Sequence, residues 1–262
     1  MSAKHSIRTN YEKLAPDYDT RYPLPAEQET RGKALIALAG ETGASRILEV
    51  GCGTGHWLKG LTFTDAKLYG FDLSEGMLQK ARAHEKSLLL TKGSALDLPF
   101  VAESFDVIYC VDALHHFGDP QRYLAGAYRL LRSGGVLAVI GNDPHSGEVS
   151  WYGYDYFPGV LETDLQRFTP YTQLMDWMRG IGYSDVQSLV LEDLAEYHHG
   201  REIYDDPFLN KMSCSQYALL SDEAFQKGLQ NIEAAIDKAA QKGEEATFES
   251  CWPVRMLRGK KP

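Results

Sequence analysis

No stretch of this chain is apolar for the roughly 18–20 residues that a membrane-spanning helix needs. The first residues, Met1-Ser2-Ala3-Lys4-His5-Ser6, lack the apolar core of a secretory signal. Both absences point to a cytoplasmic protein. Basic blocks are missing too: 27 Lys and Arg stand against 36 Asp and Glu, for a formal net charge of -9. That disfavours nucleic acid as a partner, because such binding rests on neutralising phosphates with cations. Cysteine is scarce. Cys52, Cys110, Cys214 and Cys251 form no C-x-x-C pair and no Cys/His spacing of a zinc site. Reduced thiols are expected, and no metal. Internal repeats and low-complexity linkers are absent. What remains is a chain of 262 residues, enough for one large α/β domain with an added cap or for two small domains.

The densest signal is Arg46-Ile47-Leu48-Glu49-Val50-Gly51-Cys52-Gly53-Thr54-Gly55-His56-Trp57. An apolar β-rich run ends at three glycines spaced by two, and a helix-compatible run follows. Strand, glycine turn and helix form a dinucleotide-type site. Glycine lets the chain turn tightly and lets a ligand approach the main chain, because no Cβ intervenes. The phosphate-binding fingerprint is G-x-G-x-x-G, whereas here the third glycine comes one residue early. Glu49 would repel a pyrophosphate and suit a cationic or hydroxyl-bearing ligand. A second apolar run, Ala66 to Phe71, ends on Asp72, 17 residues beyond Gly55. An acid there can accept hydrogen bonds from a ribose diol, which fits NAD and S-adenosylmethionine alike.

The octet Leu48 to Gly55 resembles the first motif of the class I S-adenosylmethionine-dependent methyltransferases. Further stretches extend the resemblance over residues 7–140: a Tyr11…Ala15…Tyr18-Asp19 opening, Asp72-Leu73-Ser74…Met77-Leu78, and Phe105-Asp106-Val107-Ile108…Ala113-Leu114-His115-His116. It implies an α/β fold: a doubly wound, mostly parallel seven-stranded sheet with an antiparallel last strand, plus helical or loop caps. It implies S-adenosylmethionine as cofactor, S-adenosylhomocysteine as product, no metal, and a small-molecule acceptor.

By the same resemblance Tyr18 lies near the methionine end of the cofactor, with Tyr11 and Arg21 as weaker candidates in a lid. Glu49, Gly51, Cys52, Gly53 and Gly55 form the cofactor turn. Leu73 and Met77 flank the adenine, although Met77 also reads as helix core. Ser94 stands where the family has an acid that reads the adenine amino group, and the backbone of Ala95 could serve it instead. Cys110 and Val111, at the end of the fourth strand, are expected beside the sulfonium. Asp112, His115 and His116 follow, with His115 the candidate base for a hydroxyl or carbon-acid acceptor. The histidines can equally hold the strand exit through backbone bonds.

Further along, Asp119-Pro120 opens a helix to Leu131, and Val136 to Ile140 reads as a fifth, doubly buried strand. After residue 141 the character changes. Trp151 to Gly159 is dense in aromatics, and Tyr152, Tyr154, Tyr156 and Arg167 are candidate acceptor contacts. Arg167 and His145 could bind an acid group of the acceptor, and each also reads as an ordinary surface side chain. A helix over 170–181, a strand over 184–191, a helix over 221–241 with a Phe225/Leu229/Ile232/Ile236 stripe and a final strand complete the reading. The expected organisation is a lid segment (1–25), a cofactor core (26–140), an aromatic cap (141–169), a core helix and strand (170–192), a helical lid (193–246) and a closing strand and tail (247–262).

Two other functions share parts of this pattern. A nicotinamide oxidoreductase shares the acid after strand two. An S-adenosylmethionine-binding protein without transferase activity shares everything but turnover.

Overall fold

The computed structural model describes residues 11–14, 19, 22 and 24–262. Tyr18 and Arg21 lie outside the described residues. The chain divides into two compact units. The larger holds the described residues up to 142, with 169–192 and 254–262. The smaller holds 143–168 and 193–253.

In the larger unit, β1 (Arg46–Val50) lies between β2 (Lys67–Asp72) and β4 (Phe105–Val111), both parallel to it. Next come β3 (Leu89–Lys92) beyond β2 and β5 (Leu131–Gly141) beyond β4. β8 (Thr247–Lys260) runs antiparallel to β5, pairing Val136 with Lys260 and Gly141 with Arg255, and β7 (Ser184–His199) pairs with β8. The order β3-β2-β1-β4-β5-β8 puts the reversal of direction between β1 and β4. In open α/β sheets ligands bind at the carboxyl ends of the strands flanking such a point.

The strands form because their residues are apolar on both faces; Ile47 through Val50 are all buried. Helices are placed by their caps and stripes. α2 (Thr30–Thr42) stops at Gly43, which is left-handed and returns its N–H to Ala39 and Gly40. α4 (Glu75–His84) starts at Ser74, whose hydroxyl accepts from Met77 N–H. α5 (Pro120–Leu130) has Asp119 as its cap and Pro120 in its first turn. Its buried stripe is Tyr123, Leu124, Ala127 and Leu130. Leu124 and Ala127 pack with Leu174 and Met178 of α8 (Tyr171–Ile181) against Leu48, Val50, Ile108 and Val139.

Among the described residues the sheet holds eight strands, one more than the seven expected. β6 (Ser150–Trp151) pairs with β8 at Cys251 and Ser250. Two residues are too short to leave a periodic signal. β7 also outruns its expected end at Leu191 and continues to His199, since its partner β8 is itself 14 residues long.

The smaller unit has an aromatic core of Trp151, Tyr152, Phe157, Tyr217, Phe225 and Phe248. Its longest helix, α10 (Asp222–Ala240), is capped by Ser221 and sends Phe225 and Ile232 inward. Gly228 sits inside that helix, where a glycine costs roughly 1 kcal/mol against alanine. A Cβ there would lie 2.0 Å from the Phe157 ring, so its absence lets the ring reach the helix backbone.

Candidate functional site

The glycine turn leaves β1 with Gly51, Gly53 and Gly55 all left-handed, at φ of 75°, 52° and 77°. Side chains rarely adopt that conformation. At Gly51 a Cβ would also meet the Ala113 Cβ at 2.7 Å. The helix that follows, α3 (His56–Lys59), is a single turn. The phosphate-type contribution of a long helix N-terminus is therefore small here, and the open main chain of the turn is its main asset.

Asp72, at the end of β2, ties this turn to its neighbour. One oxygen accepts from Gly53 N–H at 2.8 Å and the other from Ser74 N–H at 2.8 Å. Burial raises its pKa, against the lowering effect of those N–H groups. Each carboxylate oxygen accepts about two hydrogen bonds, so a lone pair remains on each. Leu73 beside it is 58% exposed, large for an apolar side chain. Glu49 is buried and accepts from Tyr109 Oη at 3.2 Å. Desolvation pushes its pKa well above the usual carboxylate range. Cys52, Met77 and Cys110 are buried as well, and burial pushes the Cys110 thiol up to about 12. It is a packing thiol, not a nucleophile. Ser94 is exposed, with its hydroxyl accepting from Leu96 N–H at 3.3 Å, and Ala95 is half-buried.

Described residues of the N-terminal segment lie along this edge. Tyr11, in α1 (Tyr11–Leu14), places its hydroxyl 2.5 Å from His116 Nε2. Glu12 accepts from Gly76 N–H at the start of α4 at 3.0 Å. Asp19 accepts from the Thr54 hydroxyl and lies 3.7 Å from His84. Tyr22 stacks on His56 with ring centres 3.8 Å apart.

At the end of β4, Val111 is buried and Asp112 is exposed with φ of 48°. A turn of 3₁₀ helix, Leu114–His116, follows. His115 and His116 are half-buried, with ring centres 3.9 Å apart. Arg31 of α2 places Nη2 4.0 Å from Asp112 Oδ2 and its guanidinium 5.9 Å from the Trp57 ring centre. Its Nε is buried and makes no hydrogen bond among the described residues. Sequence reasoning missed Arg31. Its only local signal is a cation in the first turn of a helix, where cations are otherwise unfavourable.

The candidate acceptor contacts gather in the smaller unit, but as members of its interior. Tyr152 donates to Asp206 at 2.7 Å, and Tyr154 donates to Asp164 at 2.9 Å. Burial, with the adjacent carboxylates, pushes both phenols far up. Arg167, in α7 (Val160–Arg167), donates from Nη2 to Ser215 at 2.9 Å and sits 3.6 Å from Asp164. Its side chain is 4% exposed, so it is no ordinary surface residue. Tyr156 packs on Phe248 with ring centres 5.1 Å apart. His145 Nε2 lies 3.0 Å from the Phe168 carbonyl. Among the described residues, no three His, Cys, Asp or Glu side chains gather as a metal site would require, and no helix is long and apolar enough to cross a membrane.

Comparison with known proteins agrees with this architecture. A methyltransferase domain family matches residues 48–139. The chain is 31% identical over 160 residues to the malonyl-[acyl-carrier protein] O-methyltransferase of Hahella chejuensis, covering 58% of this chain and 56% of that protein. It is 26% identical over 178 residues to the ubiquinone biosynthesis O-methyltransferase of Pseudomonas putida, covering 62% and 74%. Phosphoethanolamine N-methyltransferase 2 of Haemonchus contortus, solved with S-adenosyl-L-methionine, shares the fold at a TM-score of 0.52 and 15% identity, over 95% of this chain and 60% of that one. The matched part thus spans little more than half of the first relative. Over residues 48–139, within a mostly parallel Rossmann-like sheet, the chain carries a methyltransferase domain and is similar there to the class I methyltransferases.

Proposed function

We propose that this protein transfers a methyl group from S-adenosylmethionine to a small-molecule acceptor and releases S-adenosylhomocysteine. The observation that carries the reading is the bond between the glycine turn and the acid of β2. Gly53 N–H on Asp72 fixes an open main chain beside a carboxylate with lone pairs to spare. The turn fits an adenosyl ligand, since its three left-handed glycines carry no Cβ and Gly53 lies against the Asp72 carboxylate. When bound, the cofactor supplies a methyl group activated by its sulfonium.

The chain's own residues then divide the work. Asp72 would hold the ribose diol. The exposed face of Leu73 and the backbone at Ala95 would receive the adenine. Met77 and Cys52, both buried, would support that wall from behind. Ser94, whose hydroxyl already serves its own turn, would add at most a weak contact. Gly51, Gly53 and Gly55 would keep the main chain accessible, with Glu49 behind them. Arg31 would face the carboxylate of the methionine end. Cys110 and Val111 would line the floor beneath the reacting centre, with Tyr11 and His116 at its side. Most of the acceleration would come from holding the acceptor in line with the breaking bond in a water-poor site. His115 would serve as base only where the acceptor must lose a proton.

Two of the relatives named above are O-methyltransferases and one is an N-methyltransferase, so relatedness alone leaves the acceptor atom open. The test is binding of labelled S-adenosylmethionine to the wild type, Asp72→Ala and His115→Ala. Charge-assisted hydrogen bonds contribute about 1.5–3 kcal/mol each. Losing the contacts to a diol should therefore weaken binding by about 100-fold in Asp72→Ala, while His115→Ala binds as the wild type does. Unchanged affinity in Asp72→Ala would sink the ribose assignment.

A further inference from the structure

We propose that the Asp112 carboxylate binds the methyl acceptor, and that it selects acceptors presenting an O–H or N–H donor over bare carboxylates. The inference rests on the methyltransferase reading above and gives it a substrate class.

Position is the first support. Asp112 is the residue after β4, at the carboxyl end of a strand flanking the sheet's switch point, where ligands of such sheets bind. Backbone conformation is the second. A φ of 48° is left-handed, and Asp112 shares it with only Glu103 and Asp185 among the described non-glycine residues. Aspartate is tolerated there chiefly because its side chain can bond to nearby backbone. Elsewhere in this chain aspartates do so: Asp72 accepts from Ser74 N–H, Asp119 from Arg122 N–H, Asp143 from His145 N–H and Asp206 from Phe208 N–H. Asp112 accepts no side-chain hydrogen bond among the described residues, nor does the left-handed Asp185, so what sets Asp112 apart is its place at the end of β4. Strained backbone that local bonding leaves unexplained concentrates at functional sites.

Space and charge complete the case. The Asp112 side chain is 50% exposed. Its Oδ1 lies over Gly141 at the end of β5, where a Cβ would crowd it at 3.1 Å. Arg31 Nη2, at 4.0 Å from Oδ2, is an ionic neighbour beyond hydrogen-bond reach. Both oxygens thus keep their lone pairs. An ionised carboxylate only accepts, so its partner must donate: a hydroxyl or an amine qualifies. A carboxylate acceptor would meet like charge.

The experiment measures turnover of catechol, tryptamine and decanoate by the wild type, Asp112→Asn and Asp112→Gly, alongside S-adenosylmethionine affinity and thermal midpoint. Asn keeps the left-handed tolerance and the shape without the charge; Gly removes the backbone strain. The wild type should methylate catechol or tryptamine and not decanoate. Both variants should lose at least tenfold in kcat/KM, mostly through KM, with cofactor affinity within twofold of the wild type. Retained kcat/KM in either folded variant overturns the proposal. So does turnover of decanoate alone, or of none of the three, by a wild type that binds S-adenosylmethionine. The wild-type preference stands as a test even where a variant fails to fold. Absence of S-adenosylmethionine binding by the wild type would instead remove the underlying methyltransferase reading.

Discussion

The two units treat polar groups in opposite ways. In the larger, carboxylates sit at strand ends and helix starts, where Asp72 and Asp119 accept backbone N–H bonds at the edge of an apolar sheet. In the smaller, Asp164 and Asp206 are buried inside an aromatic core, with Tyr154 and Tyr152 as their donors. A carboxylate at a strand end keeps part of its hydrogen-bonding capacity for a ligand. One buried among rings needs all of its partners from the protein. The first arrangement is that of a binding edge, and the second is an interior held by phenol–carboxylate bonds, in which Asp164 Oδ1 and Arg167 Nε and Nη1 have no hydrogen-bond partner among the described residues.

The contrast can be broken most sharply at Arg167. Its side chain and that of Asp164 are 4% and 0% exposed. Removing one partner of a buried pair leaves an uncompensated charge and costs about 3–5 kcal/mol. Arg167→Met should lower unfolding free energy in denaturant by that amount. A change below about 1 kcal/mol, the scale of an exposed pair, would make the Asp164–Arg167 contact incidental.

A smaller effect belongs to Glu49, the one carboxylate among the described residues of the larger unit that is buried almost completely. Desolvation raises its folded-state pKa well above that of the unfolded chain. The folded state therefore holds this proton more tightly than the unfolded state does. The resulting stability is fully present below the unfolded value and is lost as pH rises from there toward the folded value. Glu49→Gln keeps an acceptor for Tyr109 and removes the titration. Its thermal midpoint should exceed the wild type's by a margin that grows from pH 5 to pH 8, reaching about 2–4 °C for each kcal/mol regained. A margin independent of pH would contradict the assignment.

The same contrast explains what the sequence reveals. Leu48 to Gly55 was legible because left-handed backbone favours glycine, and three glycines spaced by two leave a visible mark. Asp72 was legible through its distance from that turn, and the buried strands through their continuous apolar runs. Pairings across the chain leave no such local mark. Tyr11 meets His116 across 105 positions, and Tyr152 meets Asp206 across 54. The aromatic density of 151–159 was visible, but density alone does not distinguish a ligand wall from a core. In the structure Tyr152 and Tyr154 spend their hydroxyls on buried carboxylates. β6 escaped notice because two residues have no period, and Arg31 because its meaning lies in Asp112, which reaches it only through the fold.

The most direct test of the central claim is calorimetric titration of the protein with S-adenosylmethionine, S-adenosylhomocysteine and NADH in parallel. Binding of both adenosyl ligands with no heat from NADH is the expected result, since the early third glycine departs from the pyrophosphate-binding fingerprint. Binding of NADH alone would contradict the account, and the methyl-transfer reading would fall with it.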